Sequence, residues 1–203
     1  MLSIDPKANT ERENYKLLIG SIIPRPIAFV TSINEDGVVN GAPFSYFNIV
    51  SSNPPMVSLA IQRKDGVMKD TARNIMEKGE FVVHIVDQQN VDSINQTAAS
   101  LPSNESEITL ANLTLVDSKK IAVPGIKEAK VRFECRLHQF VTLASENDEP
   151  GSDLLIAKIV QFHVDKDIYE NGRINYEKLA AVSRLAGSNY AKIGDVFSIE
   201  RPK

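Results

Sequence analysis

Cysteine is almost missing from this sequence: Cys135 is the only one in 203 residues. A single thiol excludes an intrachain disulfide and a cysteine-built zinc site of the usual kind. Long apolar runs are missing too, with nothing near the roughly 20 residues that cross a bilayer as a helix. The opening Met1-Leu2-Ser3-Ile4-Asp5-Pro6-Lys7 is too polar for a signal peptide, so a cytoplasmic location is the expectation. There is no basic excess. The 23 Lys and Arg against 26 Asp and Glu leave a net charge of -3, which argues against a nucleic-acid partner. The three histidines, His84, His138 and His163, are far apart in the chain. No His-Glu-x-x-His spacing exists, and half-buried strand positions explain them better than a metal does. Also absent are a Gly-x-Ser-x-Gly elbow, a Walker lysine loop and a Gly-x-Gly-x-x-Gly turn, the motifs of common hydrolases, kinases and dinucleotide-binding folds.

What is present reads as one domain over 1–203, with a lead-in at 1–14 and a tail at 188–203. Thr10-Glu11-Arg12-Glu13 predicts one helical turn, and Pro24-Arg25-Pro26 forces an extended path. Ile27–Ile33 is rich in β-branched and aromatic residues and predicts a strand. Asn34-Glu35-Asp36-Gly37 then turns it back at Val38-Val39. Further strands are predicted at 56–63, 80–86, 129–143 and 153–164. Helices are predicted at 70–78, stopped by Gly79, at 90–100, and from Tyr176 to about Leu185. Val131, Phe133, Cys135 and Leu137 alternate with Arg132, Glu134, Arg136 and His138, a half-buried antiparallel pattern that makes Cys135 a core residue. Residues 101–128 read as irregular. Strands dominate without βαβ alternation, so the expectation is a mainly β fold: an antiparallel barrel with a few short helices.

Three stretches are candidates for chemistry. Asn40-Gly41-Ala42-Pro43-Phe44-Ser45-Tyr46-Phe47, continued to Ser52-Asn53-Pro54-Pro55, fits neither helix nor regular strand, because Pro43 cannot donate to a ladder and Gly41 has no side chain. It combines backbone amides, hydroxyls and aromatic rings, which suits a flat, phosphate-bearing ligand. At 63–71, Arg63 is followed by a helix start carrying Lys69, Asp70 and Thr71. Unpaired amides and the positive dipole end there stabilise phosphate; plain capping by Asp70 with solvated lysines is the other account. The third is Ser183–Tyr190, where Arg184 either satisfies carbonyls at a helix end or lines a substrate pocket together with Tyr190.

In order along the chain, Pro24-Arg25-Pro26-Ile27-Ala28-Phe29-Val30-Thr31, Asn40–Phe47, Ser52–Pro55 and Lys69-Asp70-Thr71-x-x-Asn74-Ile75 resemble the flavin reductase-like proteins of the FMN-binding split-barrel superfamily. Arg184–Tyr190 resembles the closing motif of that family. The resemblance implies a six-stranded antiparallel split β-barrel, a homodimer and FMN at the subunit interface. It implies that Thr31 and the backbone of Ala42, Pro43, Phe44, Ser45, Tyr46 and Phe47 lie along the flavin. Ser45, Arg63, Lys69 and Thr71 would gather its phosphate, with Asp70, Ser52 and Asn74 as further cofactor-binding positions. It further implies hydride transfer from NADH or NADPH to the flavin, with electrons passed to an acceptor or a partner monooxygenase. The alternative it leaves open is a non-catalytic FMN-binding electron carrier, flavoredoxin-like. No catalytic side chain is expected, because the redox chemistry belongs to the cofactor. His84 departs from the pattern, standing where many relatives have Asn.

Overall fold

The computed structural model describes residues 1–99, 101–145 and 147–202. In chain order the elements are α1 (Glu11–Ser21), β1 (Arg25–Pro26), β2 (Ala28–Ile33), β3 (Val39–Phe44), β4 (Phe47–Ser52), β5 (Pro55–Gln62), α2 (Asp70–Lys78), β6 (Glu80–Ile85), α3 (Val91–Gln96), α4 (Glu107–Leu110), β7 (Leu115–Val116), β8 (Gly125–Ile126), β9 (Val131–Ala144), β10 (Pro150–Val164), β11 (Tyr169–Glu170), β12 (Arg173–Ile174), α5 (Tyr176–Leu179), β13 (Val182–Arg184) and β14 (Tyr190–Lys192). The fold is mainly β, as the sequence pattern implies. Among the described residues no helix is long and apolar enough to cross a membrane.

The main sheet is antiparallel with strand order β3-β2-β6-β9-β10-β5-β4. Its two edges, β3 and β4, are consecutive in the chain and separated only by Ser45 and Tyr46. Three Cα steps reach at most about 11 Å, so the sheet must curl until its ends meet. The Tyr46 carbonyl accepts from the Ala60 amide at 2.9 Å and fastens the crossing to β5. That is a split barrel, and the crossing is its seam.

The sheet has seven strands rather than six, because the stretch after Phe44 is more regular than its composition suggests. Residues 39–44 pair with β2, Thr31 opposite Gly41, and residues 47–52 pair with β5. Pro43 is tolerated because β3 is an edge. The Gly41 amide points away from β2, donating to Glu107 Oε2 at 3.1 Å. Pro43, two residues on, therefore faces its missing donor outward as well. Gly41 is needed for packing: a Cβ there would lie 2.6 Å from Ile108 Cδ1 and 2.8 Å from Phe29 Cζ.

Two apolar clusters flank the sheet. The inner one fills the barrel with Val30, Phe44, Leu59, Ile61, Phe81, Val83, Cys135 and Leu155, and Ala72 and Ile75 of α2 pack into it. The outer one places Ile94, Ile108, Leu113 and Ile126 against Phe29, Val86 and Val182. Strand β2 is thus buried on both faces, which explains its unbroken apolar run. The segment after 101 is not simply irregular. It carries α4, β7 and β8, and Ser106 and Glu107 occupy polar groups on the outward edge of β3.

Other boundaries moved for local reasons. Helix α1 runs eleven residues rather than one turn. Thr10 and Glu13 form a reciprocal capping box, but only Ile19 is buried, so no apolar periodicity marks the helix. Lys69, not Asp70, precedes α2. The helix expected over 90–100 ends at Gln96; Ser100 lies outside the described residues, as do Glu146 of the β9–β10 loop and Lys203 of the tail. Helix α5 stops at Leu179, where Lys130 Nζ donates to the Lys178 and Leu179 carbonyls at 3.0 and 3.3 Å. Arg184 therefore sits on a strand, not at a helix end. Glu134 is not on a solvated face: the 119–120 amides donate to it at 2.6 and 2.7 Å, and His163 Nε2 lies 2.5 Å from it.

His84 has a structural explanation. Its ring is fully buried, with Nδ1 3.0 Å from the Phe29 carbonyl and Nε2 accepting from the Ile126 amide at 2.9 Å. Nδ1 must then carry the proton, and the neutral ring clips β8 onto the sheet. Burial pushes its pKa down from 6.5 to about 3, with Arg132 and His163 adding to the fall and the Phe29 bond opposing it. The unfolded chain takes up this proton below about pH 6.5 and the folded protein does not. Stability therefore falls as pH drops through that window, by about 1.4 kcal/mol per pH unit. Denaturant unfolding between pH 7 and 5 should show this slope in the wild type and a flatter one in His84→Gln, which keeps a donor and an acceptor but no titration. Gly41→Ala should cost about 1–3 kcal/mol, because its methyl group overpacks Ile108 and Phe29; chemical denaturation measures it.

Candidate functional site

The seam opens into a cleft of about 300 Å³. The edge strands contribute Pro43, Phe44, Ser45 and Tyr46, β5 contributes Ala60 and Gln62, and β1 contributes Arg25. Lys69 reaches in from the start of α2, Asn95 from α3, and Arg184 and Tyr190 from the β13–β14 hairpin. A larger groove of about 850 Å³ adjoins it, sharing Tyr15, Arg25, Ser45, Tyr46 and Gln62 and adding Phe47.

Arg25 holds the cleft wall together. It is only 6 % exposed, yet it faces no carboxylate. Nη1 donates to the Ile19 and Ile22 carbonyls at 2.8 Å each, Nη2 to Leu185 O at 3.0 Å, and Nε lies 3.4 Å from Ser45 Oγ. One guanidinium thereby satisfies the C-terminal turn of α1, ties it to the hairpin and touches the crossing. Burial raises the Tyr46 phenol pKa, Tyr15 adds to this, and Arg25 partly offsets it. The hairpin is fixed by Arg25 opposite Arg184 across β1 and β13 and by Tyr190 Oη donating to Asn95 Oδ1 at 3.0 Å.

Lys69 is the residue before α2, and no side chain caps the helix. Its first amides are therefore free of side-chain acceptors and carry the positive end of the dipole. The Lys69 ammonium lies 6.0 Å from the Phe44 ring centre, a cation next to an aromatic face. Among the described residues lining the cleft there are three basic side chains, Arg25, Lys69 and Arg184, and no Asp, Glu, His or Cys.

The residues singled out from sequence divide by position. Pro43, Phe44, Ser45, Lys69, Arg184 and Tyr190 converge on the cleft, and Phe47 on its extension. The others lie outside its lining. Thr31 is buried with its hydroxyl donating to Pro124 O at 2.6 Å, on the outer face of β2. Ala42 packs against the inner core, and Ser52 is exposed at the end of β4. Arg63 grips the buried Asp153, Nη2 to Oδ1 at 2.8 Å and Nε to Oδ2 at 3.0 Å, clamping the end of β5 to β10. Asp70 pairs with Arg73. The Thr71 hydroxyl accepts from Asn40 at 2.9 Å, and Asn74 donates to Ser32 at 3.2 Å while its Oδ1 is buried without a partner. Arg25, Gln62 and Asn95 are lining residues that sequence reasoning did not select, whereas Tyr46, part of the 42–47 stretch, lines the cleft with its neighbours. For Arg25 a signal existed in its place between two prolines. Asn95 gave none, because only tertiary contact brings α3 to the hairpin. Among the described residues no group of three or more His, Cys, Asp or Glu is placed to hold a metal ion.

Known proteins are similar to this chain in sequence and fold. YwrF of Bacillus subtilis (strain 168) is 51% identical over 193 residues, 94% of each chain. The crystal structure of nitrilotriacetate monooxygenase component B from Bacillus cereus is 59% identical and covers 98% of both chains, with a TM-score of 0.96. That of 2-nitrobenzoate 2-nitroreductase NbaA from Pseudomonas fluorescens is 28% identical, with a TM-score of 0.88 over 99% of this chain and 96% of that one. The sequence model of the flavin reductase like domain matches residues 19–180, and by that match and these relatives the chain belongs to the flavin reductase-like family.

Proposed function

We propose that the protein is an FMN-binding flavin oxidoreductase that uses NADH or NADPH and delivers electrons to an acceptor or a partner oxygenase. The observation that carries this reading is the charge pattern of the seam cleft, which has three basic side chains and no acid among the described lining residues. Such a cleft suits a flat ligand bearing phosphate. Lys69 and the uncapped start of α2 suit the phosphate, and Phe44 and Tyr46 suit the ring system. When bound, FMN supplies the redox chemistry, accepting two electrons and a proton as hydride from the nicotinamide, which leaves as NAD(P)⁺.

The chain's own part is to bind, orient and shield. Arg25 keeps the wall rigid by tying α1, the crossing and the hairpin together. Among the described lining residues imidazoles and carboxylates are absent, and burial raises the Tyr46 phenol pKa. The partner oxygenase is supported by the 59% identity to a protein described as a monooxygenase component B. A homodimer is supported by uncovered apolar surface at two places: Leu18 of α1 with Ile22 just after the helix, and Ile49 of β4, which is 78 % exposed.

Purified protein should be yellow, and anaerobic NADH or NADPH should bleach it. Bleaching by dithionite alone would instead favour the electron carrier, and failure to take up FMN on titration would sink both. Lys69→Ala should weaken FMN by about 10-fold or more, the usual worth of a charge-assisted bond. Riboflavin, lacking the phosphate, should lose little. Equal losses for the two ligands in a fluorescence titration would remove Lys69 from the phosphate site.

A further inference from the structure

One basic group in the cleft is left unexplained by a single phosphate at α2. Arg184 lies on a different element from Lys69, at the hairpin, and among the described residues it forms no ion pair. Its guanidinium is nonetheless held in place. It stacks 4.6 Å from the Tyr190 ring centre, and Nη2 donates to the Gly187 carbonyl at 2.6 Å. Tyr190 is in turn fixed by Asn95, and the Arg184 backbone by β1 and β14. Gly187 turns the hairpin in a left-handed conformation, φ +63°, which returns Tyr190 opposite Arg184. A planar cation positioned in advance, with its remaining donors unspent and no carboxylate to neutralise it among the described residues, is built to take an anion two donors at a time.

Resting on the reductase reading above, we propose that Arg184, stacked on Tyr190, is a second phosphate subsite of the cleft and binds the phosphates of the hydride donor. The chemistry follows from number and place. FMN carries one phosphate, for which Lys69 and the start of α2 are suited. A nicotinamide dinucleotide brings a diphosphate and, in NADPH, a 2′-phosphate. It must reach the same cleft as the flavin, so a second, independently mounted cation on the wall is the group available to it. Arg184 is then a donor-binding residue, with no part in holding FMN.

The test uses FMN-loaded wild type and Arg184→Ala, with NADH and NADPH each varied under steady state and FMN affinity measured by fluorescence titration. The expected result is a rise in donor KM of about 10-fold or more, with kcat and FMN Kd changed by no more than about twofold. An equal rise for both donors assigns Arg184 to the diphosphate, and a rise for NADPH alone to the 2′-phosphate; either supports the proposal. The wild-type donor KM should also climb with ionic strength while that of the variant stays flat. Should Arg184→Ala not fold, Arg184→Gln keeps a donor for Gly187 and removes only the charge, and is measured in the same way. Unchanged donor KM in an active enzyme, or a matching loss of FMN affinity, overturns this inference alone. A wild type that binds FMN but is bleached by neither donor overturns the reductase reading and this inference with it.

Discussion

The structure depends on a limit of chain length. Strands β3 and β4 lie at opposite ends of a seven-strand order yet are joined by two residues, and two residues cannot bridge a flat sheet of that width. Curling the sheet is the solution, and it puts Ser45 and Tyr46 where the two unpaired edges meet. The Tyr46 carbonyl there is taken by the Ala60 amide, and Ser45 and Tyr46 line the cleft. The same constraint places Phe44 and Phe47 on either side of the seam, both packed against the inner core. The cleft-facing stretch is thereby built on strands at both ends.

Around that seam the wall is completed by groups that act across the sequence. Arg25 is a buried cation balanced by carbonyl oxygens rather than by a carboxylate. A carboxylate partner would neutralise the cleft and oppose a phosphate. Arg63 shows the other arrangement: its charge is met by the buried Asp153, and it serves the β5–β10 clamp. Two arginines of the same chain thus differ in what they offer a ligand because their partners differ.

The outer cover has its own logic. An edge strand with free amides invites another chain, and β3 meets that problem with the segment after 101. Ser106 and Glu107 take up the outward groups of Val39 and Gly41, Ile108 fills the notch that Gly41 leaves, and His84 clips β8 in place from beneath. Burial raises the Glu107 pKa, while the Gly41 bond opposes this. Residues 101–128 looked featureless because their order comes from what they cover.

By itself the sequence determined the strand content, the course of β2, β5, β6, β9 and β10, the helix at 70–78, the core place of Cys135 and the motifs of the family. Those follow from alternation, apolar runs and glycine stops, which are local properties of the chain. Tertiary structure decided which polar residues share a cleft. It turned Thr31 outward to Pro124, gave Arg63 to Asp153, moved Arg184 from a helix end to a strand and brought Asn95 to Tyr190. It also decided that Gly41 and Pro43 belong to a regular strand, since only an edge position and a neighbouring Ile108 make a missing donor and a missing Cβ harmless. Periodicity reports whether a side chain is covered, whereas partners many residues away decide what its polar atoms are free to bind.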